Sequence, residues 1–269
     1  MPDTTTRWTP PAGTLIGMVH VDALPGTPRS ERSVRDIAQR AGAESRTLAT
    51  AGFDAIIIEN MHDAPYLRGE VGPEIVSAMT ACALSVRDAA PGLPLGVQIL
   101  AGANRAALAV AHASGASFIR AENFVFAHVA DEGLMPEADA GPLLRYRGMI
   151  GAEHVAVFAD LKKKHAAHAI TGDVSLAETA RAAHFCGADG VIVTGASTGE
   201  PTGVDDLTSA ADASPLPVLA GSGVTEWSVK EQLTACRAVI VGSALKHDGD
   251  WRNPVDPSRA AGFVRAARA

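Results

Sequence analysis

The sequence is poor in aromatic residues and in cysteine, and each shortage narrows the class of protein. Aromatic residues make up 4% of the 269 residues, so a hydrophobic core must be built mainly from alanine, valine, isoleucine and leucine. The three cysteines, Cys82, Cys186 and Cys236, are far apart and form no CxxC pair. An odd number with this spacing argues against a disulfide framework and against a structural zinc site. It predicts buried thiols in a reducing compartment.

The chain also lacks a basic excess and a long apolar run. Its formal net charge is −7, which provides no electrostatic footprint for nucleic acid or for an anionic membrane. No apolar run reaches the roughly 18 residues of a membrane-spanning helix, and the polar start at residues 1–11 lacks the apolar segment of a secretion signal. We therefore expect a cytoplasmic protein with neither a nucleic-acid partner nor an integral membrane association.

What the sequence does contain is a series of short apolar runs rich in β-branched residues. Such nearly continuous runs are typical of buried parallel strands. The eight runs are Leu15–His20, Asp54–Glu59, Leu95–Leu100, Ser117–Ala121, His154–Ala159, Gly190–Thr194, Pro217–Ala220 and Ala238–Val241.

Segments with helical periodicity separate these runs. They include Val34–Thr50, Pro73–Ala89, Arg105–Ser114, Leu176–Cys186 and Val229–Cys236. Alternating strands and helices predict right-handed βαβ units, and eight such units predict an α/β fold, a (β/α)8 TIM barrel. An open doubly wound sheet is the alternative, but the first strand is not followed by a GxGxxG motif.

We expect one barrel domain over residues 1–269, preceded by a disordered or extended segment at 1–12. The longest irregular connection runs from Asn123 to Asp139, after the fourth predicted strand. A connection of that length in a compact domain is typically a lid or a binding element.

Polar side chains follow the ends of the first five predicted strands, where barrel enzymes place their chemistry. Because charge beside an apolar strand is costly unless it is paired, their convergence predicts a site; a structural network of ion pairs is the alternative. The residues are His20, Asp22, Glu59, Asn60, Gln98, Arg120, Glu122, Asn123 and Asp160.

Lysines follow the fifth predicted strand in the run Asp160-Leu-Lys162-Lys163-Lys164-His165. Strand alternation places Asp160, Lys162 and Lys164 on one face and Lys163 on the other. Lys162 next to an acid could hold phosphate, donate a proton or act as a Schiff-base nucleophile. The sequence leaves these roles open, and a solvated basic turn would also explain Lys163 and Lys164.

Glycine-rich segments follow the last three predicted strands. Glycines let backbone N–H groups approach an anion, and a helix after the eighth strand would add its positive N-terminus. These segments predict a phosphate site, although tight turns that require glycine would look the same. The candidate residues are Thr194, Gly195, Gly221, Ser222, Gly223, Gly242 and Ser243.

Metal binding has weaker support. A divalent cation could be bound by His20, Glu59 and Asp160. However, the sequence contains no HxH, no HExxH and no two-histidine, one-carboxylate spacing. We therefore expect neither a metal nor an organic cofactor.

Many of these segments together resemble the BtpA/SgcQ family, in order and over nearly the whole chain. The matching segments are Ile16–Pro28, Glu59-Asn60, Asp63–Pro65, Val71–Glu74, Phe118–Arg120, Ala130–Gly133, Leu144–Arg147, Asp160–His165, Thr194-Gly195, Thr198–Pro201, Gly221–Val224, Val241-Gly242 and Asn253–Asp256. The chain departs from the family pattern at Asp22 and Glu122, where an apolar residue and an asparagine are expected.

The resemblance implies a phosphate-binding barrel similar to the ribulose-phosphate-binding group, with no settled chemistry. The family takes its name from a cyanobacterial factor needed for photosystem I accumulation, whereas other members look like enzymes of sugar or nucleoside metabolism. A non-catalytic assembly or biogenesis factor is therefore the alternative to an enzyme. Association of copies into a homo-oligomer is also left open.

Our leading hypothesis is an enzyme for a small phosphorylated metabolite, such as a sugar phosphate or a nucleotide. Lyase, isomerase or glycosidic-bond chemistry would suit the predicted groups. The hypothesis assigns catalysis to Lys162, Asp160, His20, Glu59, Lys164 and Arg120, and further substrate contacts to Asn60, Gln98, Glu122 and Asp131.

Overall fold

The protein folds as a closed barrel of eight parallel strands. The computed structural model describes residues 6–163, 165–195 and 202–269. Around the barrel the strand order is β1, β11, β10, β9, β7, β4, β3 and β2, and β2 returns to β1. These strands are β1 Thr14–His20, β2 Ala55–Glu59, β3 Leu95–Gln98, β4 Phe118–Ala121, β7 Ala156–Leu161, β9 Gly190–Val193, β10 Val218–Ala220 and β11 Ala238–Val241.

Helices connect the strands and cover the outside of the barrel. They are α1 Val34–Ala51, α2 Pro73–Ala89, α3 Asn104–Ser114, α4 Ala140–Met149, α5 Leu176–Phe185, α6 Val204–Ala213, α7 Val229–Ala235 and α8 Pro257–Arg268. Short 3-10 turns occur at Met61–Asp63, Ala169–Thr171, Ser243–Leu245 and His247–Gly249. The fold class predicted from the sequence, a (β/α)8 barrel, is thus confirmed.

Helix limits follow local signals. Ser33 begins α1 by accepting a hydrogen bond from the backbone N–H of Asp36, and Gly52 ends it in the left-handed conformation, with φ of 99°. The buried residues of α1 recur at helical spacing, from Ile37 through Ala41 to Leu48. This stripe packs against β1 and β2, which explains why the periodicity of the sequence predicts the helix correctly.

A small antiparallel sheet lies outside the barrel order. It consists of β5 His128–Ala130, β6 Gly133–Met135 and β8 Ala166–Ala167, with β5 in the middle. Strands β5 and β6 fall within the connection 123–139 that the sequence analysis treated as irregular. Because β8 follows β7, this sheet, which we call the lid sheet, joins the loops after two neighbouring barrel strands.

The core has two layers. One lies between the strands and the helices, and the other fills the barrel interior with residues such as Ile57, Phe118, Phe158 and Leu219. A side chain at Gly96 would place its Cβ 2.2 Å from the Phe118 ring. Glycine on β3 therefore makes room for a large aromatic ring inside the barrel.

Residues 6–12 lack regular secondary structure, but they are placed by packing. The Trp8 ring lies 4.9 Å from the ring of Phe118 and 5.9 Å from that of Phe158, measured between centroids. Arg7 pairs with Asp189 at 3.0 Å. The segment therefore closes the N-terminal end of the barrel, whereas residues 1–5 lie outside the described part of the chain.

Candidate functional site

A cavity of about 740 Å³ opens at the carboxyl ends of the barrel strands. Five successive strands, β1, β2, β3, β4 and β7, contribute His20, Glu59, Gln98, Arg120 and Asp160 to its wall. Strand register explains part of the grouping, because His20 pairs with Glu59 and Glu59 with Gln98 across neighbouring strands. These three residues form one row at the rim, as the sequence analysis expected of residues that end parallel strands.

Arg120 and Asp160 form a buried ion pair in the cavity wall. The guanidinium donates from Nε to Oδ1 at 2.9 Å and from Nη2 to Oδ2 at 3.1 Å. Burial alone would lower the pKa of Arg120, but the charges of Asp160 and Glu59 outweigh burial and raise it. Asp160 is therefore held by Arg120, and the predicted pairing of Asp160 with Lys162 is not what the structure contains.

A second ion pair joins Glu122 and Lys163. Lys163 Nζ lies 3.1 Å from Glu122 Oε2 and 4.0 Å from Glu132 Oε2. Burial raises the pKa of Glu122, and the neighbouring charge of Lys163 opposes that rise. Glu122, one of the two departures from the family pattern, thus has a cationic partner. The other departure, Asp22, pairs with Arg40 at 2.6 Å.

The two lysines differ in the cavities that they line. Lys163 lines both the large cavity and a smaller one of about 20 Å³, whereas Lys162 lines only the smaller one, together with Asp160. Lys162 has a left-handed backbone, with φ of 46°, so the regular alternation of the strand ends at this residue. Lys163, which alternation placed on the other face, therefore reaches the large cavity. Lys164 lies outside the described residues.

His20 lines the cavity, and a backbone carbonyl holds one of its ring nitrogens. Its Nδ1 lies 3.1 Å from the carbonyl oxygen of Trp251, and a carbonyl can only accept, so Nδ1 carries the proton and Nε2 keeps the lone pair in the neutral ring. A Cβ at Gly242 would lie 3.2 Å from Nε2. Glycine at this position therefore leaves room for the working face of the imidazole.

Glycine-rich turns after β10 and β11 form a further part of the cavity wall, which adjoins His20 at Gly242. Gly221, Ser222, Gly223, Gly242 and Ser243 all line it, and Gly223 adopts φ of 64°. Directly after the eighth barrel strand comes a three-residue 3-10 turn, Ser243–Leu245. The helix that follows, α8, begins at Pro257, and its residues Ser258, Arg259 and Arg265 also line the cavity.

Thr194 and Gly195 are buried at the end of β9. The methyl group of Thr194 would lie 3.3 Å from a Cβ at Gly221, which places Thr194 beneath the β10 turn. Gly221 also leaves room for Arg120, whose Nη2 would lie 3.6 Å from that Cβ. Residues 196–201, including the Thr198–Pro201 segment that resembles the family, lie outside the described residues.

Asn60 holds neighbouring loops together. Its Oδ1 accepts from the backbone N–H of Leu100 at 2.7 Å, and its Nδ2 donates to Asp63 at 2.8 Å. Asp63 in turn accepts from the backbone N–H of Leu24 at 2.8 Å. With both ends of its amide engaged, Asn60 ties the loops after β1, β2 and β3 instead of facing the cavity as a substrate contact.

Two buried acceptors in the cavity wall have no hydrogen-bond partner among the described residues. They are Gln98 Oε1 and Glu132 Oε2. Gln98 is 2% exposed, and Glu132 lies in the turn between β5 and β6 of the lid sheet. Asp131, also predicted as a contact, lines the same cavity with 77% of its side chain exposed.

No group of three or more His, Cys, Asp or Glu side chains in residues 6–163, 165–195 and 202–269 is arranged to hold a metal ion. Ion pairs with Arg120 and Lys163 occupy two of the carboxylates that the sequence analysis considered, those of Asp160 and Glu122.

The chain matches a known protein family over most of its length. The profile of the BtpA family matches residues 12–269. This chain belongs to the BtpA family.

Relatives of this BtpA-family chain occur in distant organisms. It is 45% identical over 255 residues to a protein of Caenorhabditis elegans named only as an uncharacterised mitochondrial protein, covering 93% of this chain and 91% of the relative. It is 36% identical over 253 residues to the photosystem I biogenesis protein BtpA of Synechocystis sp., covering 94% and 87%.

Solved structures share the barrel at low sequence identity. The (S)-3-O-geranylgeranylglyceryl phosphate synthase of Thermoplasma acidophilum, solved with sn-glycerol-1-phosphate, has a TM-score of 0.59 and 14% identity, covering 94% of this chain and 92% of that one. The orotidine 5'-phosphate decarboxylase of Pyrococcus horikoshii has a TM-score of 0.58 and 15% identity, covering 94% and 99%. At this identity the likeness shows the fold alone.

Several residues in or beside the cavity of this BtpA-family chain were not found by sequence reasoning. Tyr66, Glu132 and Lys163 line the cavity, and Trp251 holds His20 through its carbonyl. Tyr66 donates to the carbonyl of Met61 at 2.7 Å, and burial together with the charge of Glu59 raises its pKa. Position after a strand, the signal used above, does not apply to Tyr66, Glu132 and Trp251, which come from longer loops.

No helix within the described ranges has the length and apolar character to cross a membrane.

Proposed function

We propose that this BtpA-family chain is an enzyme that moves a proton next to a carbonyl group in a small phosphorylated metabolite. The observation that carries the proposal is the composition of the cavity. The cavity combines glycine-rich turns that can hold an anion with the imidazole of His20 and two buried ion pairs.

The phosphate is assigned to the turns Gly221–Gly223 and Gly242-Ser243. Barrel enzymes often hold phosphate at the loops after the last two barrel strands, which here are β10 and β11. The fold is shared with a synthase solved with sn-glycerol-1-phosphate and with an orotidine 5'-phosphate decarboxylase. This likeness supports the class of ligand and leaves the reaction open.

His20 is the proposed base. Its Nε2 takes a proton from the carbon next to the carbonyl, and the electron pair of that C–H bond moves onto the carbonyl oxygen. The ammonium of Lys163 is positioned to stabilise the resulting oxyanion, because preformed charge in a water-poor site acts strongly on developing charge. For an isomerisation, the hydroxyl proton on the deprotonated carbon moves to the oxyanion, and His20 returns its proton to the former carbonyl carbon. For a lyase reaction, the electron pair instead expels a leaving group from the carbon two positions from the carbonyl, and the carbonyl re-forms.

Glu59 and the Arg120–Asp160 pair are proposed to orient the reacting carbon. Lys162 is no longer the proposed Schiff-base residue, because it lines the smaller cavity. Lys163 pairs with Glu122 and is assigned to the oxyanion instead of to imine formation.

Solvent exchange tests the chemistry even when the product is unidentified. Aldose and ketose phosphates are incubated with the protein in heavy water and followed by NMR. We expect deuterium to enter the carbon next to the carbonyl of the true substrate, and His20→Gln to slow this at least about 100-fold. His112→Gln, which alters an exposed histidine on α3, is the matched control. If no phosphorylated carbonyl compound exchanges, the proposed reaction is wrong. The same spectra would reveal glycosidic-bond cleavage through release of a free sugar.

A pair of substitutions at Gly223 tests the phosphate position. Aspartate and asparagine both tolerate the left-handed backbone found there, but only aspartate adds a negative charge. We expect Gly223→Asp to abolish calorimetric binding of sugar phosphates and Gly223→Asn to retain most of it. Equal affinities in the two variants would place the phosphate elsewhere.

The name of the Synechocystis relative supports a second candidate, a non-catalytic factor for photosystem I biogenesis. This role would use the outer surface of the barrel and would not need His20. Photosystem I accumulation in a Synechocystis strain that lacks its own relative separates the two candidates. Rescue by this chain and equally by its His20→Gln variant would favour the assembly role.

A further inference from the structure

Gln98 Oε1 and Glu132 Oε2, the two acceptors in the cavity wall without a hydrogen-bond donor, lie away from the glycine-rich turns. Gln98 ends β3 in the same row as His20 and Glu59, and Glu132 is brought over the rim by the lid sheet. A buried polar atom without a partner costs free energy, so such atoms in a cavity wall indicate a ligand that supplies the missing hydrogen bonds. Both atoms are oxygens, and the ligand must therefore present donors.

A metal ion, an ammonium group or a neutral donor such as a hydroxyl group could satisfy these oxygens. Lys163 Nζ already lies 4.0 Å from Glu132 Oε2 and 3.1 Å from Glu122 Oε2. A second positive charge beside this ammonium would be repelled, and the repulsion is strong where water is excluded. A neutral hydroxyl group avoids the repulsion and still donates.

We infer that this half of the cavity, which we call the acceptor subsite, binds hydroxyl groups of the phosphorylated ligand. The inference rests on the proposed function for the phosphate end and adds that the ligand is a polyhydroxylated phosphate, of the sugar or sugar-alcohol class. One hydroxyl donates to Gln98 Oε1 and another to Glu132 Oε2.

Cavity size agrees with such a ligand. About 740 Å³ falls in the range of pockets that enclose most of a small organic molecule. Inorganic phosphate alone would fill a small part of it and would leave both acceptors without donors.

The test compares arabinitol 5-phosphate with pentyl phosphate by calorimetry. The two compounds have the same number of carbons and the same phosphate group, and they differ only in hydroxyls. We expect the polyol phosphate to bind at least about tenfold more tightly, since one retained hydrogen bond to a buried acceptor corresponds to about that factor.

Gln98→Met removes one acceptor at similar side-chain volume. We expect the preference for the polyol phosphate to fall about tenfold, while the unliganded variant unfolds at the same temperature as the wild type or at a higher one, because an unsatisfied buried oxygen is gone. A misfolded variant would show the opposite thermal shift. Glu132→Gln is expected to lower the preference as well. Glu137→Gln, an exposed acid two residues beyond β6, is the matched control and is expected to leave it unchanged.

Failure of this inference is separable from failure of the phosphate proposal. Equal binding of the two phosphates, with Gly223→Asp still harmful, would overturn the acceptor subsite and leave the phosphate position standing. Hydroxyl-dependent binding that Gly223→Asp does not weaken would overturn the phosphate position and leave the acceptor subsite standing. Absence of binding by the polyol phosphate, or thermal stabilisation by magnesium chloride alone that Glu132→Gln removes, would also overturn the subsite.

Discussion

The two ends of this barrel are built from the same strands and differ in what those strands place inside. Strand β4 contributes Phe118 and, two residues further on, Arg120, and β7 contributes Phe158 and, two residues further on, Asp160. At the N-terminal end Trp8 stacks on Phe118 and contacts Phe158 in a tilted arrangement. Two residues further along each strand, an ion pair takes the place of the aromatic pair.

This difference separates stability from function within one pair of strands. Aromatic rings stabilise the fold simply by leaving water. An ion pair in the same interior loses hydration on both partners and gains little net stability over well-packed apolar side chains. Its position at the C-terminal end, where it lines the same cavity as His20 and the glycine-rich turns, agrees with the role in the site that we propose for it.

The largest loss of stability is expected from breaking the buried ion pair at the C-terminal end. Arg120→Met removes one partner of the buried pair and leaves the Asp160 carboxylate without its cation, which should lower the free energy of unfolding by about 3–5 kcal/mol. Urea denaturation measures the change. The functional end would then be as sensitive to single substitutions as the apolar end.

The double variant Arg120→Met with Asp160→Asn is the control for this prediction. It removes both charges, so most of the lost stability should return while the proposed exchange activity does not. If the single variant loses less than about 1 kcal/mol, the pair is solvated in solution and the description of a buried pair is wrong.

Trp8→Ala is expected to have the next largest effect, at the opposite end. Removal of this half-buried ring should lower the free energy of unfolding by about 2–3 kcal/mol, which is less than the loss for a fully buried tryptophan. Ligand affinity should not change, because the site lies beyond the layer of interior side chains. Trp8→Phe should recover much of the stability. Weakened ligand binding in Trp8→Ala would show that the two ends are coupled.

The smallest effect concerns the lid sheet and depends on pH. Burial, with the charges of Lys163 and His168, lowers the pKa of His128 from 6.5 to about 4. The unfolded chain therefore binds this proton before the folded protein does, and the free energy of unfolding falls as the pH drops from about 6.5 towards 4.

Between pH 7 and pH 5 the loss due to His128 should be on the order of 1 kcal/mol, reduced by partial solvent screening. Carboxylates titrate in the same range, so the difference between wild type and His128→Gln isolates the histidine. Urea denaturation at both pH values measures it. Identical pH dependence in the two proteins would contradict the lowered pKa.

Much of the fold could be predicted because the barrel follows from local patterns. Every barrel strand occurs at a predicted apolar run, and α2 spans Pro73–Ala89 as expected. Buried parallel strands are apolar on both faces, and this pattern is readable from each strand by itself. The polar row of His20, Glu59 and Gln98 was predictable for the same reason, since parallel strands bring their ends to one rim.

The rest of the site could not be predicted, because it depends on backbone conformations that leave no recognisable pattern in the sequence. Lys162 adopts a left-handed backbone although it is neither glycine nor asparagine, so nothing in the lysine run indicated that Lys163 would face the cavity. The lid sheet pairs β5 with β8 across a helix and a barrel strand, and residues so distant in sequence leave no common period. Glu132 enters the site only through that pairing.

The packing of Trp8 against two barrel strands has a consequence for the order of folding. The ring rests on Phe118 and Phe158, which belong to strands that are synthesised long after it. Trp8 therefore cannot reach its final position until β4 and β7 have paired, and contacts between such distant residues form slowly. We expect protection of Trp8 from quenchers to appear late in refolding, which makes its fluorescence a reporter of barrel closure.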